Sequence, residues 1–331
     1  MLYYYALLYY NINLKQIKTM KKIHLISTLI GLLAFSTISK ADLKVVTSIK
    51  PIHSLASYIM DGVGSPGLIV DGYNSPHSFQ LKPSHAKMLE QADIIFWIGE
   101  DLENFLEKPL ATIAKKAEKI ELLEIKGIKK LKFRERNIFE EHEGHDDHGH
   151  DAKKEEHDDH DDHGHGEYDP HIWLDPINAK VILNEITEHL IENDSKNAAT
   201  YKSNLAKAIS EIDKLIIDVI TETNTDLSYV VFHDAYQYYE NRFNVNILGA
   251  MTVNPDVMPG AEQIHEIHEV IEHDNVSCIL SEPQFNPDII KSIAKDTSVK
   301  TGVLDPLGAN LKPGKDLYFD LIRNMSASFN C

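Results

Sequence analysis

The sequence predicts an α/β protein of two halves, each a parallel sheet flanked by helices, with one long helix between them. Three observations carry this. Short β-branched runs alternate with amphipathic stretches from 43 to 125, and the same rhythm restarts after 228. Between them, 195–223 is a run of good helix formers without proline or glycine. Alternation of this kind places strands side by side in parallel, with helices on both faces.

In order, LKVVTSI (43–49) reads as a strand. PIHSLASYIMDG follows as a helix, with Pro51 in its first turn and Gly62 at its end. GLIVDG (67–72) is a second strand, 83–92 a helix and DIIFWIG (93–99) a strand. The stretch 101–117 is helical, with Pro109 expected to interrupt it. KIELLEI (119–125) closes the first set. After HIWLDP come helices over 177–193 and 195–223. The second of these carries Leu205, Ile209, Ile212, Ile216 and Ile220 at three- and four-residue steps. The second set runs YVVFH (229–233), a helix, VNILGAMT, a helix over 260–274, VSCILSE, a helix, VKTGVLDP and a final helix to 328.

The chain has 331 residues and a formal net charge of −18. Much of that charge sits in 140–169, where fourteen of thirty residues are acidic and eight are histidine. The eight are His142, His145, His148, His150, His157, His160, His163 and His165. With almost nothing apolar to bury, this tract predicts a mobile loop rather than a folded element. Imidazole and carboxylate are the ligands of borderline divalent cations, zinc above all, so the tract predicts weak metal sites. The remaining charge is mildly acidic, which argues against nucleic acid as a partner.

Residues 1–41 carry five positive and no negative side chains. From Met20 they show a basic start (Lys21, Lys22), an apolar run over 26–35 and small residues at Ser39 and Ala41. That is the pattern of a cleavable secretory signal peptide, too short for a bilayer span. The nineteen residues before Met20 do not fit a signal's start, and Met20 is the expected initiator. The only cysteines are Cys278 and Cys331. In an exported protein an even pair suggests one disulfide, worth roughly 4 kcal/mol for a loop of about fifty residues. A buried thiol and a separate terminal thiol is the alternative.

The specific metal site is expected at the carboxyl ends of the strands, where such sheets bind ligands. His77 lies in the loop after the second strand, His171 opens HIWLDP, His233 ends YVVFH, and Asp305 sits in VLDP. Two come from each half, so together they would line a cleft. Three imidazoles and an oxygen make a zinc sphere. Singly, each reads better as a capping or hydrogen-bonded residue; jointly, beside the histidine–acid tract, they read as a metal site. His53, His85, His265, His268 and His273 fall on charged helical patterns that suit solvent, and Trp173 reads as core.

The pieces SIKPIHSLASYIMDG, HSFQLKPS, ADIIFWIG, HIWLDP, VVFHDAYQYYENRFN, NPDVMPGAEQIHEI, SEPQFNP and LDPLGANL, in this order, resemble the cluster A-I metal solute-binding proteins. Among these the sequence is most similar to the zinc-binding components of bacterial ABC importers. The resemblance spans the chain after the signal. It implies two lobes joined by a long rigid helix, with metal in the cleft and no catalysis. His77, His171 and His233 are then the imidazole ligands of Zn²⁺, with Asp305 or water fourth, and Cys278 pairs with Cys331. Some zinc members carry a glutamate just before the first histidine; here that position is Pro76. Manganese-type relatives tend to have glutamate where His233 stands, and imidazole shifts preference toward zinc. The implied organisation is an N-terminal extension and signal (1–41), an N-terminal lobe (42–138 and 171–194), the histidine–acid loop (139–170), a linking helix (195–225) and a C-terminal lobe (226–331). The implied protein is a periplasmic monomer that delivers zinc to an inner-membrane permease. The rival readings are manganese or iron transport, a zinc hydrolase, and an adhesin.

Overall fold

The computed structural model describes residues 42–331 apart from 135, 140–165, 254, 256, 258 and 298. The expected signal peptide and the eight loop histidines lie outside the described residues.

The first sheet comprises β1 (Val45–Thr47), β2 (Gly67–Leu68), β3 (Ile94–Trp97) and β4 (Glu118–Glu121), ordered β2-β1-β3-β4 and parallel throughout. The second comprises β5 (Ser228–His233), β6 (Asn246–Thr252), β7 (Cys278–Ser281) and β8 (Lys300–Val303), ordered β6-β5-β7-β8, again parallel. Nine helices are described: α1 (Lys50–Ile59), α2 (Pro83–Gln91), α3 (Glu100–Thr112), α4 (Pro176–Asn193), α5 (Ala198–Glu222), α6 (Gln237–Phe243), α7 (Ala261–His273), α8 (Asp288–Asp296) and α9 (Leu317–Ser328). Among the described residues, no helix is long and apolar enough to cross a membrane.

In each sheet the order reverses beside the first strand. Loops leaving β1 and β5 therefore diverge from those of their neighbours and open a crevice, the usual ligand position in such sheets. The central strands are buried along their length, as parallel strands covered on both faces must be. One continuous apolar core joins the inner faces of α1, α4, α5 and α9 to both sheets. A second cluster, around Val230, Leu248, Ile279 and Ile290, lies under α7 and α8.

The linking helix α5 has 25 residues, about 38 Å at 1.5 Å per residue. Its buried stripe is Tyr201, Asn204, Ala208, Ile212, Leu215 and Val219. Of the expected stripe, Ile212 is buried, Leu205, Ile209 and Ile216 are half-buried against the core, and Ile220 is 57% exposed. The buried face includes a polar residue because α1 demands a partner there: Asn204 donates to the carbonyls of Ile59 and Asp61, the open end of α1. Just beyond that end, Gly62 takes a left-handed φ of +80° that favours glycine.

Helix α3 also departs from expectation. It runs through Pro109, and its break falls at Glu103 (φ −116°, ψ 52°). The Glu103 carboxylate folds back to accept from the amides of Ile98 and Gly99, which closes the first turn on itself.

The chain crosses between sheets before the histidine–acid tract. Phe139 N donates to Leu248 O, Ala250 N donates to Asn137 O, and Ile138 bridges Gly249 antiparallel. A Cβ on Gly249 would stand 2.7 Å from the Asn137 carbonyl, so only glycine lets this segment dock on β6. On the other side of the tract, Gly166 N donates to Asp101 of α3. The disulfide joins Cys278 of β7 to Cys331 across 53 residues, with Cα atoms 6.5 Å apart.

Candidate metal centre

His233 is the last residue of β5 and 3% exposed. His171 caps a short 3₁₀ turn, Ile172–Leu174, and is also 3% exposed. His77 sits half-buried in the loop between β2 and α2. Their ligand-capable nitrogens lie within 4.8 Å of one another. The crevice that holds them is also lined by Pro76, Trp173, Glu282 and Phe285.

Two of the rings are held from behind. His171 Nδ1 is 2.7 Å from Asp169 Oδ1, which also accepts from the His171 amide at 3.0 Å. His233 Nδ1 is 2.6 Å from Glu282 Oε1, which also accepts from the Tyr236 hydroxyl. A neutral imidazole has one N–H, and a carboxylate can only accept. Both rings therefore carry their proton on Nδ1 and present bare lone pairs from Nε2. Those two Nε2 atoms face each other at 3.3 Å. Two lone pairs at that distance repel unless a proton or a metal ion lies between them. A tetrahedral zinc with bonds of ~2.0–2.1 Å needs an N···N edge of about 3.3 Å.

The electrostatics agree. Burial, followed by the neighbouring His233, holds the His171 ring well below its ordinary value. His233 is pushed down by burial, but the charges of Glu282, Asp234 and Asp169 outweigh it and raise the ring. Burial lifts the Asp169 carboxyl to about 7, Asp234 to about 6 and Glu240 to about 7. Arg134 binds the last two, at 2.8 Å and 2.6 Å. A buried acidic shell thus lies beneath the imidazoles.

Asp305 falls outside the imidazole group. Its Oδ1 accepts from Gln284 Nε2 and the amides of Leu307 and Gly308, and its Oδ2 accepts from Ala309 N. The carboxylate organises the turn after β8. That turn is pinned to the other lobe by buried Lys50, whose ammonium donates to the carbonyls of Gly308, Ala309 and Leu311. Trp173 is fully buried and donates to Pro306 O.

Among the other histidines, His53 differs from expectation. It is 8% exposed, with Nε2 3.2 Å from Pro66 O, because its helix face turns into the lobe. His85 accepts from Lys82 N at the start of α2, and His265 is exposed. Sequence reasoning missed Glu282 and the role of Asp169. The Asp-Pro-His spacing of 169–171 carried a signal for the second; nothing local marked Glu282.

Two α/β lobes, a long spanning helix and an imidazole cluster in the crevice between them define a metal-type solute-binding protein. The family model described as "Zinc-uptake complex component A periplasmic" matches residues 45–330, and the chain belongs to that family. The chain is 46% identical over 304 residues to the "High-affinity zinc uptake system protein ZnuA" of Brucella abortus (strain 2308), covering 86% of this chain and 90% of that protein. It is 36% identical to the protein of the same name from Yersinia pestis, over 90% of this chain and 94% of the other. The structure of a mutant laminin-binding adhesin, Lmb, from Streptococcus agalactiae shares the fold, with TM-score 0.69, 22% identity and coverage of 87% and 98%.

Proposed function

We propose that this protein captures one Zn²⁺ in the crevice, through His77, His171 and His233, and delivers it to an inner-membrane ABC permease for import. Water fills the fourth position, with Asp305 the alternative if its turn rearranges. The family and its zinc-uptake relatives support the cargo and the periplasmic setting. The observation that carries the reading is the facing pair of Nε2 atoms at 3.3 Å, each ring locked by a buried carboxylate. The histidine–acid tract adds weaker zinc-binding side chains, including His142 to His165, by composition alone. The protein acts as a monomer, binds no nucleic acid and performs no chemistry on its cargo. Delivery requires that zinc-loaded and zinc-free forms differ in affinity for the permease.

The deciding experiment is metal analysis of protein purified from the periplasm, followed by competition of zinc against manganese. Zinc retention with manganese displaced supports the assignment. Manganese or iron retention overturns it, since three imidazoles suit the softer ion. A hydrolase screen with esters, phosphates and lactams should be flat. The adhesin reading predicts that deletion abolishes attachment; the present reading predicts loss of zinc uptake with attachment intact.

A further inference from the structure

A second group of metal-capable side chains lies on the N-terminal lobe, far from the crevice. Glu118 opens edge strand β4, at the end of the sheet opposite the crevice; His189 and Glu192 lie near the end of α4. The ligand-capable atoms of the three lie within 4.8 Å of one another. His189 is thirteen residues beyond the first residue of α4, about 20 Å along the helix.

The contacts give each group a role. His189 Nε2 is hydrogen-bonded to Glu185 Oε1, one turn earlier on the same helix, at 3.1 Å. That bond places the proton of a neutral ring on Nε2 and leaves Nδ1 a bare lone pair. Nδ1 lies 2.8 Å from Glu118 Oε1, is sealed from solvent, and makes no hydrogen bond. Held between two carboxylates, the ring needs a positive charge at Nδ1, supplied either by a second proton or by a metal ion. Glu118 is itself aimed: Asn193 Nδ2 donates to its other oxygen, Oε2, at 3.0 Å. Among the described residues, no lysine or arginine pairs with Glu118, Glu185 or Glu192. The cluster thus repeats the logic of the crevice, with an imidazole oriented from behind by a carboxylate and its free nitrogen turned toward further acids.

We propose that Glu118, His189 and Glu192 form a second divalent-cation site that takes Zn²⁺, with Glu185 and Asn193 positioning its ligands. Water completes the sphere on the solvent side, where Glu192 is exposed. With one imidazole and two partly exposed carboxylates, the site binds more weakly than the crevice and exchanges its ion freely. Occupied, it ties β4 to α4.

The test uses the full chain with excess zinc. Anomalous difference maps at the zinc edge locate ions by position, so tract-bound zinc does not confuse the result. A peak between Glu118 and His189 is expected. Equilibrium dialysis should find one ion fewer per chain for His189→Gln, and likewise for Glu118→Gln and the exposed Glu192→Gln should either of the others fail to fold. His233→Ala should lose the crevice ion and keep this one, which separates failure here from failure of the crevice assignment. No peak overturns the proposal. So does a peak with unchanged ion counts in all three variants, which means an adventitious ion only. A doubly protonated His189 ring in zinc-saturated protein, read by ¹⁵N NMR, does so too.

Discussion

His171 Nε2 and His233 Nε2 face each other at 3.3 Å, although the residues are 62 apart in sequence and belong to different lobes. Each is aimed by a carboxylate on its far side, Asp169 and Glu282. The geometry of this pair is therefore set by four side chains rather than by the two imidazoles alone.

Removing an orienting carboxylate should weaken zinc without removing a ligand. Asp169→Asn and Glu282→Gln should each lower affinity by about 10–100-fold, the usual cost of losing such a partner. Competition titration with a zinc chelator reads this directly. Unchanged affinity in both variants would mean that the rings are held by other contacts.

His171→Ala and His233→Ala should cost far more affinity than Asp305→Ala, because an imidazole is a primary donor and water can replace an oxygen. Asp305→Ala should instead lower thermal stability, since three turn amides lose their acceptor, at about 1–3 kcal/mol for a group left unsatisfied. Equal losses of affinity across all three variants would place Asp305 on the metal.

Zinc affinity should fall steeply between neutral pH and about pH 5, because protons compete for each imidazole. His233 is raised above its ordinary value, so its competition begins first as pH falls. His171 is depressed and stays neutral into stronger acid. The slope of log affinity against pH should therefore start near one proton and steepen. A flat profile would assign the metal to carboxylates.

Deletion of 140–165, which spares Asp169, should leave one tight zinc per chain and remove, in calorimetry, the weak binding events that belong to the tract. Loss of the tight event with the fold intact would place the high-affinity site within the tract.

Glu103 predicts a pH-dependent stability unrelated to zinc. Burial raises its carboxyl from 4.5 to about 7 in the folded chain. The folded state therefore holds a proton that the unfolded state has released, so stability present below about pH 4.5 is lost as pH rises through about 7. The full effect is on the order of 3 kcal/mol. Glu103→Gln keeps the acceptor for Ile98 and Gly99 and should flatten this part of the stability profile in zinc-free protein. An unaltered slope across that window would show that Glu103 is ionised throughout.

The strand–helix rhythm and the long helix were legible in the sequence because each depends on local periodicity; of the candidate imidazoles, only His233 stands at the end of a strand, with His77 and His171 in loops. Both sheets and α5 follow from those patterns. Less was legible wherever a distant group decided the outcome. The buried face of α5 includes the polar Asn204 because it reaches the end of α1, more than 140 residues earlier in the chain. The break in α3 moved from Pro109 to Glu103 because a side chain captured two amides.

At the candidate metal centre, the sequence by itself determined which residue types were available: imidazoles in loops and at a strand end, acids nearby and two cysteines. Only the tertiary structure decided their roles. Glu282 holds His233 from 49 residues away, and Asp305 accepts hydrogen bonds from the amides of its own turn. The physical reason is that a ligand is defined by where its lone pair points. That direction is set by the hydrogen bond on the other side of the ring, and the partner in that bond is chosen by packing between lobes.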